Sequence, residues 1–326
     1  MHITILGGAG FLGRKIAARL AADGALGGRP VDSLTLFDLT APPSPAVARF
    51  PVHSLAGDLA ELPPAAIPPR TDVVFHLAAV VSSAAEADYE LGRRVNVRGT
   101  DAVIDACRRL PSPPRVVFTS SVASFSGGQG AVLPDDARQV PANTYGAQKA
   151  AAELFLADAS RRGALDAVLI RLPTVIVRPG RPNKAASSFV SAILREPLLG
   201  LPATLPVPDD FAVWVCSPRR AVEWLLHAAV MDTAALGLDR GINPPGISAT
   251  VGQMLAALDS VRPGASALVE RRPDPAIAAI VGGWPAAFAP VRAAALGFTV
   301  HESLAELVQA FIDDDLEDTR RERNAG

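Results

Sequence analysis

The sequence has two cysteines in 326 residues, too few to build a disulfide framework. Cys107 shares a helical apolar face with Val103, Ala106 and Leu110, and Cys216 lies in an apolar run. Both read as small buried hydrophobes rather than reactive thiols. The five histidines are scattered, with no HxxxH pair and no His/Cys cluster, so no catalytic metal is expected. His76 closes an apolar run and reads as a packed or helix-capping imidazole. No GxSxG elbow occurs, which excludes the α/β-hydrolase type of nucleophile. A formal net charge of -2 gives no electrostatic basis for binding nucleic acid or an anionic membrane. No window approaches the roughly 18 uninterrupted apolar residues of a membrane span, and no signal-peptide pattern opens the chain. A cytoplasmic protein is expected.

What is present is an ordinary globular composition, 49% apolar and 20% charged. Short apolar runs alternate with longer amphipathic stretches. ITIL (3–6), LTLF (34–37), DVVFHLAA (72–79), RVVFTSS (115–121) and AVLIRLP (167–173) read as strands buried on both faces. FLGRKIAARLAADG and TDAVIDACRRL between them have helical periodicity. The pattern predicts an α/β fold with a doubly wound parallel sheet of Rossmann type. The proline-rich 41–69 stretch is expected to be surface connection, with one short third strand before Asp58. Beyond residue 173 the alternation weakens. The expected division is a nucleotide-binding domain over 1–175 and a smaller, less regular substrate lobe over 176–326, with about 213–240 returning to the first domain. The acidic-then-basic tail DDDLEDTRRERNAG is expected to be a solvated helix end.

Immediately after the first strand comes GGAGFLG. A diphosphate can rest on a helix N-terminus only where no Cβ stands in the way. Gly7 would make the turn, Gly10 would admit the diphosphate beside Phe11 and Leu12, and Gly13 would let helix and strand pack closely. Asp38 ends the second strand, where a carboxylate accepts hydrogen bonds from an adenosine ribose and repels a 2′-phosphate. No Arg or Lys follows in LTAPPSPAVA, so NAD is expected rather than NADP. Asp58, followed by Leu59, either holds the adenine amino group or caps a turn.

TYGAQKA places Tyr145 and Lys149 four residues apart at the start of a helix, so both project from one face. A phenol is a poor base at neutral pH, and a nearby ammonium lowers its pKa and makes it a workable acid/base. Thr119, Ser120 and Ser121 end a predicted parallel strand, where hydroxyls face the cofactor crevice. One can hold a substrate oxygen; the others serve to cap backbone groups.

The ordered set GGAGFLG, Asp38, HLAAVVS, NVRGT, FTSSVA and YGAQK resembles the extended short-chain dehydrogenases, the family of nucleotide-sugar epimerases and dehydratases. The resemblance implies Ser121, Tyr145 and Lys149 as catalytic residues, Asn96 as a supporting residue, and Leu77, Ala78, Ala79, Thr119, Pro173 and Thr174 beside the cofactor. Within that family, RLPTVIVRPGRPN, SFVSAILREPLLG, SPRRAVEWLLHA and TVGQMLAAL resemble the D-erythronate dehydrogenases, which implies oxidation of the C2 hydroxyl of a short sugar acid with NAD. A substrate carboxylate calls for a planar cationic fork. Arg178 and Arg181 follow the strand expected beside the nicotinamide, and each either grips that carboxylate or is an exposed loop arginine. Asn183, Ser82 and Thr174 are further substrate candidates. The alternative is an epimerase or dehydratase that returns the hydride to the sugar. Paired helices at about 87–110 and 145–162 are implied by the family to form a homodimer interface.

Overall fold

The structure is a computed structural model that describes residues 1–128, 130–181, 188–299 and 302–324. It divides into two compact units. The first comprises Met1–Ser124, Asn143–Arg171 and Val222–Ile242; the second comprises Phe125–Ala142, Leu172–Ala221 and Asn243–Gly326. The returning segment is therefore Val222–Ile242, and the strand Ala212–Cys216 stays with the second unit.

The first unit is built on a sheet of seven strands: β1 (His2–Leu6), β2 (Ser33–Asp38), β3 (Val52–Ala56), β4 (Thr71–His76), β5 (Arg115–Ser121), β6 (Asp166–Leu172) and β7 (Gly241–Ile242). Their spatial order is β7-β6-β5-β4-β1-β2-β3, and the pairings β1 with β2, β1 with β4, β2 with β3, β4 with β5 and β6 with β7 are all parallel. This is the doubly wound Rossmann arrangement, with its order reversing between β1 and β4, where such sheets bind ligands. Strand and core positions coincide because β-branched and large apolar residues fill both faces: Leu6, Val74, Val116, Phe118 and Leu169 pack with Val103, Cys107 and Leu156 from the helices. The apolar DVVFHLAA run is strand only to His76, since Leu77 and Ala78 turn their amides onto the Leu6 carbonyl (2.9 Å each). Within the proline-rich 41–69 stretch, Val52–Ala56 forms the half-exposed edge of the sheet.

Helices flanking this sheet are α1 (Phe11–Asp23), α2 (Ser82–Ala87), α3 (Gly99–Arg108) and α4 (Thr144–Arg161). Burial of the Cys107 thiol among them pushes its pKa up to about 12, which removes it from nucleophilic chemistry.

The second unit holds a three-stranded sheet in the order Thr174–Val175, Ala212–Cys216, Ile247–Thr250, with helices α5 (Ser188–Leu198), α6 (Val251–Val261), α7 (Leu304–Asp314) and α8 (Leu316–Asn324). Its core gathers Ile193, Val215, Met254, Leu258 and Phe311. The tail is a helix end with one solvated face, and its other face is not solvated. Leu316 and Thr319 are buried, and Arg323 grips the buried carboxylate of Glu196 through both terminal nitrogens (2.5 and 2.8 Å). A sequence-local reading saw only a charge run; the partner lies 127 residues earlier.

Candidate active site

The glycine turn is shaped by contacts that exclude side chains. Gly7 has φ +93, and a Cβ on it would stand 2.7 Å from the amide nitrogen of Ala78, across the reversal point between β1 and β4. A Cβ on Gly13 would collide with the Gly7 carbonyl oxygen. Gly10 is different. Its φ of -66 suits any residue, and a Cβ there would meet only the Gly7 oxygen, at 3.3 Å. Bareness at Gly10 is thus not needed for packing. It leaves the N-terminus of α1 open, and no side chain caps that helix and no acid lies in its first turn. An uncapped 13-residue helix behind such a turn is a fit for a diphosphate.

Asp38 sits at the end of β2 and accepts from the amides of Ala9 (2.9 Å) and Leu39 (2.7 Å). These two bonds fix its carboxylate against the glycine turn. Asp58 accepts from the amide of Ala60 and pairs with Arg94 at 2.5 Å, so it caps the short turn Leu59–Glu61. The Leu59 side chain belongs to the core, pressed against Gly99, which leaves its backbone as the group that can face a ligand. Leu77, Ala78 and Ala79 are half-buried. Asn96 holds this segment: its amide oxygen accepts from Val80 N (2.8 Å), and its amide nitrogen donates to Val80 O (3.0 Å) and Gln148 Oε1 (2.7 Å). Asn96 lies in a π-helical stretch, Arg93–Arg98, and links the loop after β4 to α4.

The first unit brings Ser121, Tyr145 and Lys149 together. Asn143 caps α4 by accepting from Gly146 N (2.7 Å), which puts half-buried Tyr145 in the first turn. Gly146 allows this turn to press on the end of β5, since a Cβ on it would collide with the Ala123 carbonyl oxygen. Ser121, at that strand end, accepts from Ala123 N (3.1 Å) on its hydroxyl oxygen and keeps its proton to donate. One turn into α4, the Lys149 ammonium is 2% exposed, donates to the Thr119 carbonyl (2.7 Å), and lies over the Phe118 ring (4.4 Å) and within 5.6 Å of the Tyr145 ring centre. Burial lowers its pKa to about 7, against the opposing pull of Glu153. Thr119 spends its hydroxyl on His76 O (3.3 Å), and Ser120 donates to Glu153.

His76 is a packed imidazole. Thr100 donates its hydroxyl proton to Asn96 O (2.8 Å), so its oxygen receives the Nε2 proton of His76 at 3.0 Å. Nδ1 is left bare and buried, and burial, with the Lys149 charge added, lowers the pKa to about 3.

Ser82 begins α2 in the first unit and is half-buried. Pro173, Thr174 and Arg178 fall in the second unit. Thr174 is buried in its sheet opposite Val215, and Arg178 turns its Nε onto the Val175 carbonyl (3.0 Å). Arg181 is exposed, and Asn183 lies outside the described residues. Trp214 is buried against Phe288 (5.8 Å), a core position.

Sequence reasoning missed Gly146, Gln148, Glu153 and Arg171. YGAQK itself carries the first two. Glu153 repeats the Tyr145–Lys149 interval once more along the helix, and Arg171 is the one charge inside the apolar run AVLIRLP.

Residues 3–214 match the model of the NAD dependent epimerase/dehydratase family. D-erythronate dehydrogenase of Cupriavidus necator is 46% identical, covering 96% of this chain and 98% of its own length. D-erythronate dehydrogenase of Haemophilus influenzae is 39% identical over 97% of this chain and 100% of its own. The crystal structure of the nucleoside-diphosphate-sugar epimerase from Agrobacterium tumefaciens superposes with a TM-score of 0.92 at 46% identity, covering 97% of this chain and 95% of that one.

Proposed function

Because this chain belongs to the NAD-dependent epimerase/dehydratase family, we propose that it oxidises the C2 hydroxyl of D-erythronate to the 2-oxo acid through Ser121, Tyr145 and Lys149. The carrying observation is that two relatives matching it from end to end both bear the name D-erythronate dehydrogenase. NAD is the cofactor, and when bound it supplies the acceptor for the C2 hydride.

The chain's own residues supply the rest. Ser121 donates its hydroxyl proton to the substrate oxygen and holds it beside Tyr145. The Tyr145 phenolate takes the C2 hydroxyl proton as the carbonyl forms. Lys149 keeps the phenol acidic by its charge. Gly7, Gly10, Phe11, Leu12 and Gly13 hold the diphosphate, Asp38 the adenosine ribose, Asp58 with the Leu59 backbone the adenine, and Leu77–Ala79, Thr119, Pro173 and Thr174 the nicotinamide side. Arg178, anchored through Nε, serves the substrate carboxylate, with Ser82 and Thr174 on its hydroxyls. The first unit is thus the NAD-binding part, and the second carries most of the substrate specificity.

The name of the Agrobacterium structure favours a second reading, a nucleotide-sugar epimerase or dehydratase with tightly held NAD. One assay separates them. Purified protein with NAD and D-erythronate or D-threonate should form NADH in proportion to acid consumed. No NADH with any sugar acid, together with isomerisation of a nucleotide sugar, would replace the first reading by the second.

A further inference from the structure

We propose that Glu153 is a positioning residue that sets the charge state of Lys149, its carboxylate aimed by Ser120 and Arg171. The inference rests on the reading of Lys149 as the partner of Tyr145.

Tyr145, Lys149 and Glu153 recur at four-residue intervals on α4, which puts all three on one face of the helix. Glu153 is 3% exposed, an unusual place for a carboxylate. It is nonetheless fully engaged. Ser120 donates to Oε1, and Arg171 donates from Nε (2.9 Å to Oε2) and Nη2 (2.8 Å) in a forked pair. Arg171 reaches it from β6, and room for the guanidinium exists because Gly241 on β7 has no Cβ; one there would collide with it. Ser120 lies on β5 between Thr119, which receives the Lys149 ammonium, and Ser121. One carboxylate therefore ties α4, β5 and β6 together directly behind the Tyr145–Lys149 pair.

Such an arrangement has an electrostatic consequence. The Lys149 ammonium is buried, and among the described residues the charge of opposite sign that acts on it is Glu153, which raises its pKa against the larger lowering by burial. The other groups facing it are Tyr145 from α4 and neutral His76 from β4. Arg171 stands behind Glu153, paired with the carboxylate at 2.8 Å. Without Glu153 the ammonium would lose its proton at lower pH, and the phenol would lose the charge that makes it acidic.

The chain has three lysines, Lys15, Lys149 and Lys184, so protein labelled with 13C at lysine Cε gives three signals. Lys149 is identified by its absence in Lys149→Met, and its titration is followed in protein without NAD. Glu153→Gln should move the Lys149 midpoint down by about one unit or more. If this variant does not fold, Glu153→Gln combined with Arg171→Met removes both charges and should still lower the midpoint, by less. An unchanged midpoint in the variants that fold overturns the assignment. Tyr145→Phe in the turnover assay keeps the two questions apart. If it remains active the catalytic reading fails, whatever the Lys149 titration shows.

Discussion

Lys149 donates its ammonium proton to the carbonyl oxygen of Thr119 at 2.7 Å, so the helix that carries Tyr145 is fastened two residues before Ser121 on the strand end. The hydrogen bond orients the ammonium, and the Phe118 ring beneath it excludes water on one side. Tyr145 and Lys149 are therefore placed by the same contact that joins helix to sheet.

Tyr145→Phe removes one hydroxyl from this arrangement and leaves the Lys149–Thr119 bond in place. Turnover should fall by about 10²–10⁴. The rise in melting temperature on adding NAD should persist. Near-normal turnover would sink the acid/base role.

Gly10 and Gly13 make a paired test of the cofactor cradle. Gly10→Ala meets only the Gly7 oxygen at 3.3 Å and should leave the melting temperature near that of the parent. Its methyl group stands in front of the uncapped N-terminus of α1, so NAD affinity measured by calorimetry should drop by at least about tenfold. Gly13→Ala collides with backbone and should lower the melting temperature itself. Equal NAD affinity for Gly10→Ala and the parent would move the diphosphate elsewhere.

His76 should govern part of the acid limb of stability. Folded His76 stays neutral down to about pH 3, whereas its ordinary pKa is 6.5. Between those values the unfolded chain binds the extra proton, so stability present above pH 6.5 is lost as pH falls, by about 1.4 kcal/mol per unit. His76→Asn cannot take up this proton. Urea unfolding followed from about pH 6.5 to about pH 4 should show a flatter decline for the variant than for the parent. Parallel declines would mean that other groups dominate.

Leu154 is 70% exposed and Phe155 45% exposed on α4, and Tyr89 stands exposed before α3. Apolar side chains in water at adjacent helical positions suit an interface, and we expect a homodimer. Light scattering after size exclusion should give twice the chain mass for the parent and the chain mass for Leu154→Glu combined with Phe155→Glu. A parent of single-chain mass would end this expectation.

The parts of the site legible in sequence are those whose geometry is local. GGAGFLG lies within one turn and YGAQK within one helical turn, and β1, β2 and β5 matched their apolar runs almost to the residue. What the sequence hid depends on distant partners. Glu153 meets Ser120 from 33 residues away and Arg171 from 18, and its four-residue spacing from Lys149 places it on a helix face without showing those partners. Arg323 looked like one charge in an exposed run for the same reason. The strand after DVVFH ended early because two amides share the Leu6 carbonyl, a backbone event that side-chain pattern does not record.

The grip of Arg323 on Glu196 also has a consequence in time. During synthesis Glu196 leaves the ribosome 127 residues ahead of its second arginine. At ~5–20 residues per second this is a wait of roughly 6–25 s. Arg195 is its neighbour in sequence, and in the folded chain it donates to Glu196 at 2.9 Å and to the Arg178 carbonyl at 2.8 Å. Arg323 and Thr319 reach the Gly180 backbone only with the final helix. The contacts that Thr319 and Arg323 make with Gly180 can therefore form only after the Arg195 side of the same arrangement has been synthesised.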